Sequence, residues 1–128
     1  MTGESKATKV LVIDDDRLVA DTLAEILRLH GFSASAVYSG EEAILFAERF
    51  GPDIVLSDIR MHQVDGIEAA QTIRQLHPES RVILFTASTV NTRMKAAIER
   101  SGFEFLQRPL HPRSVLSALC QPARRESL

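Results

Sequence analysis

Three short segments of this chain are apolar at every position: Val10–Ile13 (VLVI), Ile54–Leu56 (IVL) and Val82–Phe85 (VILF). A strand with one wet face alternates apolar and polar residues. An unbroken apolar run belongs to a strand covered on both faces, the usual condition of a parallel sheet. Parallel neighbours must be joined by a crossover, usually a helix. The chain supplies one after each strand. Strand-like segments at Lys9–Ile13, Ser33–Tyr38, Asp53–Ser57, Arg81–Thr86 and Phe103–Gln107 alternate with helical patterns. These patterns run over Arg17–His30, Glu41–Phe50, Gly66–His77 and Asn91–Ser101, and a fifth starts near Pro112. The first places Leu18, Val19, Leu23, Ile26 and Leu27 on one face. Asp65 is a good N-cap for the third, and Pro122 stops the fifth after two to three turns. The expected fold is α/β, a doubly wound five-stranded parallel sheet of order 2-1-3-4-5 with five flanking helices, flavodoxin-like.

In such a sheet the ligand site lies outside the carboxyl ends of the strands, at the topological switch point. The first strand ends in Asp14, Asp15 and Asp16, and the third runs into Asp58. Strands one and three are neighbours in this order, so Asp14, Asp15 and Asp58 converge. Asp16 is read as the N-cap of the first helix. Three carboxylates in one pocket repel one another unless a cation joins them. Oxygen ligands select Mg²⁺ or Mn²⁺ over softer metals. A carboxylate can attack phosphorus to give an aspartyl phosphate. Thr86, ending the fourth strand, offers a hydroxyl donor, and Arg108, after the fifth, offers a fixed positive charge. The set suits a phosphoryl group held on an aspartate.

The segments VIDDD, PDIVLSDIRMHQVDG, VILFTAS and FEFLQRPLHP, in this order, resemble the response-regulator receiver domain of two-component signalling. The resemblance covers about Lys9 to Cys120. It implies that Asp58 is the phosphoacceptor and that Asp14, Asp15, Asp58 and the backbone carbonyl of Arg60 hold Mg²⁺. It further implies that Thr86 is the switch hydroxyl, that Phe105 is the aromatic whose rotamer follows it, and that Arg108 stands where the family has a lysine. A second departure is His62, where the family usually has proline. The implied partner is a sensor histidine kinase or histidine phosphotransfer protein, with a downstream effector unnamed by the sequence. The implied output surface is helix four, strand five and helix five. A short fifth helix reduces that surface, so self-association is expected to be weak.

Composition narrows the alternatives. The chain has 128 residues, one domain's worth, expected to form a single receiver domain over 1–128 with a core at about 8–121. A net charge of −2 without a dense basic stripe argues against direct nucleic-acid binding. No apolar run reaches the ~20 residues of a membrane span. The single cysteine, Cys120, excludes an internal disulfide, fits a cytoplasmic location and is expected to pack. His30, His62, His77 and His111 lack metal-ligand spacing and are expected to be solvated. Turnover of an outside substrate is not expected. Two other readings stand beside the switch. One is a pseudo-receiver binding module that does not use phosphate. The other is a haloacid-dehalogenase-like phosphatase with Asp14 as nucleophile, a reading weakened by Arg17-Leu18 where a Gly/Thr would follow.

Overall fold

The computed structural model describes residues 7–60, 65–86, 89–106 and 111–121. Five strands, β1 (Lys9–Ile13), β2 (Ser33–Val37), β3 (Ile54–Asp58), β4 (Arg81–Phe85) and β5 (Glu104–Leu106), form one parallel sheet of order β2-β1-β3-β4-β5. The helices between and after them are α1 (Arg17–Leu29), α2 (Gly40–Phe50), α3 (Gly66–Leu76), α4 (Thr92–Ser101) and α5 (Pro112–Cys120).

The unbroken apolar runs divide by residue parity. Val10 and Val12 join Ile54, Leu56, Ile83 and Phe85 under α1 and α5, whose Leu23, Leu27, Val115 and Leu119 complete that layer. Leu11 and Ile13 join Val55, Val82 and Leu84 on the opposite face, under Ala43, Ala47, Ile67, Ile73 and Ile98 of α2, α3 and α4. Successive strand residues point to opposite faces, so a strand buried on both sides must be apolar throughout.

Four helices start on capping side chains. Asp16 accepts from the Leu18 and Val19 N–H groups, Ser39 from Glu42, Asp65 from Ile67 and Glu68, and Asn91 from Met94. α5 starts with Pro112 instead, has nine residues, and matches the two to three turns expected.

The boundaries differ from the sequence expectation by a residue or two. β3 extends to Asp58, because Asp58 still pairs with Phe85 across the ladder. Asp53 falls outside it, and its carboxylate caps the Lys9 N–H at 2.8 Å. Two side-chain expectations are corrected. Cys120 is exposed, since the packed face of α5 is carried by Val115 and Leu119. His77 is half-buried rather than solvated, because its Nε2 reaches the Ala47 carbonyl at 2.8 Å and ties the end of α3 to α2. His62 and Gln107 lie outside the described residues.

Candidate functional site

Parallel registration brings the carboxyl ends of β1 and β3 level. Ile13 pairs with Val37 on one side and Ser57 on the other, and each next residue is an aspartate on β1 and β3 alike. Carboxylate oxygens of Asp14, Asp15 and Asp58 all lie within 4.8 Å of one another. Asp14 is 4% and Asp58 8% exposed, whereas Asp15 is more open to solvent. Backbone N–H groups hold the buried pair: Asp16 donates to Asp14 Oδ1 at 3.0 Å, and Arg60 to Asp58 Oδ1 at 3.4 Å.

The electrostatics follow from burial and like charge. Burial comes first, then the Asp14 charge, and together they push the Asp58 carboxyl up to about 7. Asp14 is also raised, again mainly by burial, with the Asp15 and Asp16 charges adding to it. The Asp14 and Asp58 carboxyls lie close enough for each to alter the ionisation of the other. Near neutrality this pocket therefore resists holding all its negative charge by itself. Converging carboxylates under that repulsion fit a hard divalent cation, which takes oxygen ligands.

The backbone at Asp58 and Ile59 is tied to β3 and to the start of α3. Ser57 Oγ donates to the Asp58 carbonyl at 3.2 Å, and Gly66 N–H donates to the Ile59 carbonyl at 3.1 Å. A Cβ on Gly66 would overlap the Asp58 carbonyl oxygen and come within 2.9 Å of Ser57 Oγ. α3 can start this close to Asp58 only because Gly66 has no side chain. In the sequence the Asp65-Gly66 pair reads as a helix start, and this packing role goes unseen. A Gly at an N1 position, after an N-cap that needed no help, was the available signal.

Thr86 follows β4 at the same edge and is 1% exposed. Phe105 lies in β5, half-buried against the core layer of α2, α3 and α4. Arg108 lies outside the described residues. The acidic trio is thus brought together, with Thr86 on the neighbouring strand end.

The profile of the response regulator receiver domain matches residues 10–120. The chain belongs to the response-regulator receiver family. It is 32% identical over 117 residues to the response regulator protein FleR of Pseudomonas aeruginosa, covering 91% of this chain and 25% of that one. It is 30% identical over 113 residues to the chemotaxis protein CheY of Halobacterium salinarum, covering 88% of this chain and 94% of CheY. The chain therefore spans a quarter of FleR but almost all of CheY. A CheY-like receiver domain from Methanospirillum hungatei superposes with a TM-score of 0.81 at 21% identity, covering 89% of this chain and 91% of that one. A response regulator from Burkholderia pseudomallei, crystallised with a phosphorylated aspartic acid and a calcium ion, superposes at 0.78 with 24% identity, covering 88% and 66% of the two chains. Receiver domains are signalling switches that bind a divalent metal at an acidic cluster, and this receiver has such a cluster in Asp14, Asp15 and Asp58. Among the described residues, no helix is long and apolar enough to cross a membrane.

Proposed function

We propose that this receiver accepts a phosphoryl group on Asp58 from a phosphohistidine of a kinase or phosphotransfer partner. The carrying observation is the convergence of two buried aspartates and a more open third at the ends of β1 and β3. An Asp58 carboxylate oxygen attacks phosphorus. The new P–O bond forms as the P–N bond breaks, and the leaving imidazole nitrogen takes up a proton. Hydrolysis later returns the carboxylate and releases phosphate, with water as the attacking group.

Asp14, Asp15, Asp58 and the Arg60 carbonyl would hold Mg²⁺ or Mn²⁺. The bound ion would neutralise the carboxylates and the equatorial phosphoryl oxygens. Asp14 is kept in place by the Asp16 N–H, and Asp58 by the Arg60 N–H, so neither must reorganise when the donor arrives. Thr86 donates its hydroxyl to the phosphoryl group, and Phe105 takes the space that Thr86 leaves. Arg108 supplies a fixed cation. Its planar fork replaces the point charge of a lysine and slows transfer through geometry rather than through charge. The whole chain acts as one receiver unit whose output passes through α4, β5 and α5.

The test is labelling with a small phosphodonor and Mg²⁺, followed by reductive trapping of the modified residue. Label on Asp58, lost in Asp58→Asn, is the expected result. Label on Asp14 would select the phosphatase reading, and no label on any aspartate would select the pseudo-receiver.

A further inference from the structure

Arg60 stands two residues after Asp58, yet its side chain extends away to another element. Its Nη2 lies 3.6 Å from Met94 Sδ in the first turn of α4. Met94 is half-buried and packs with Val90, Ala97, Phe103 and Phe105 against the core layer of α2, α3 and α4. The exposed guanidinium thus lies against the first turn of α4 at Met94. A thioether sulfur is among the weakest acceptors available to an arginine. Phosphoryl oxygens are among the best, because they take the planar fork in two charge-assisted bonds. The backbone of Arg60 is already at the site, with its N–H 3.4 Å from Asp58 Oδ1.

We propose that Arg60 is a latch: it rests on Met94, and it turns to the phosphoryl oxygens when Asp58 is modified, uncovering the first turn of α4. A phosphoryl group brings about −1.5 to −2 of charge, so its pull on the guanidinium far exceeds that of the Met94 sulfur. The switch then has two arms. Thr86 moves toward the phosphoryl group and leaves room for Phe105, and Arg60 moves to the same group away from Met94. The latch rests on the reading of Asp58 as phosphoacceptor, and its test separates the two.

Methionine labelled with ¹³C at the methyl group gives three signals, from Met1, Met61 and Met94. Met94→Leu identifies the one of interest. Beryllofluoride with Mg²⁺ serves as the phosphoryl mimic, and ¹⁹F spectra report its occupancy independently. The expected result is a Met94 methyl shift on saturation in the wild type. In Arg60→Ala that signal starts near the saturated position and moves little further, and the affinity for beryllofluoride falls about tenfold. Arg60→Lys, which keeps the charge and loses the fork, falls between the two. Binding by ¹⁹F with an unmoved Met94 signal overturns the latch, and so does an Arg60→Ala protein that keeps both the shift and the affinity. If the wild type takes up no beryllofluoride, the phosphoacceptor reading itself fails and the latch fails with it.

Discussion

The two ends of this sheet treat buried charge in opposite ways. At the carboxyl ends of β1 and β3, like charges are pressed together, and Asp58 is driven up to about 7. At the amino ends of β4 and β5, Arg81 is paired with its opposite charge. Its Nε and Nη2 donate to the two Glu104 oxygens at 2.7 Å each. Nη1 donates to the Gln121 carbonyl at 2.7 Å, and Nη2 also to that of Ala118 at 3.1 Å. The pair is only 15% and 19% exposed, and it clasps the last turn of α5 to the sheet. The Glu104 hydrogen bond also raises the guanidinium pKa further. One end thus carries repulsion that a cation or phosphoryl chemistry can relieve, and the other anchors the frame. Functional sites commonly break local rules that the rest of the fold obeys.

The sharpest way to break the contrast is Arg81→Ala. It leaves Glu104 largely buried without its partner and α5 without its clasp. A loss of about 3 kcal/mol in urea denaturation is expected. Replacing both partners, Arg81→Met with Glu104→Leu, should recover most of it. A loss below about 1 kcal/mol for the single change would show that water rescues Glu104.

Next in size is Gly66→Ala. The added carbon meets backbone at Asp58, which cannot swing aside as a side chain could. A destabilisation of about 2 kcal/mol is expected. Slower labelling of Asp58 should accompany it, because the loop must shift. Wild-type stability and labelling together would show that α3 can retreat without disturbing the site.

At the acidic end the sign reverses. Asp15→Asn removes one of the repelling charges and should raise the melting temperature of the metal-free protein by a few degrees. The same change should shrink the rise produced by Mg²⁺, since only binding to the folded state stabilises it. A lower melting temperature without metal would mean that Asp15 is held by favourable contacts that outweigh the repulsion.

A separate test is the pH dependence of the metal-free chain. The folded pKa of Asp58 lies above its ordinary value of 3.8, at about 7, so the folded state binds the proton more tightly than the unfolded state. Stability is then greatest below the lower value and declines as pH rises through that window. Asp58→Asn should flatten the decline between about pH 4 and 7, while the Arg81→Ala protein should keep it. An unchanged slope in Asp58→Asn would assign the titration to another group.

The parallel sheet, the helix starts and the identity of the acidic trio were all legible in the linear chain. The reason is local. Apolar runs, N-caps and strand-terminal aspartates each state their role in a few adjacent residues, and a doubly wound order brings the ends of β1 and β3 together. Pairings between residues far apart in the chain emerge only on folding. Arg81 meets Glu104 23 positions away and Gln121 40 positions away. His77 meets Ala47 30 positions away, and Arg60 meets Met94 34 positions away. Cys120 faces outward because two neighbours on α5 already fill the packed side. None of these arrangements leaves a periodic or spaced trace in sequence, since each is fixed by which side chains the packed layers happen to bring within reach of one another.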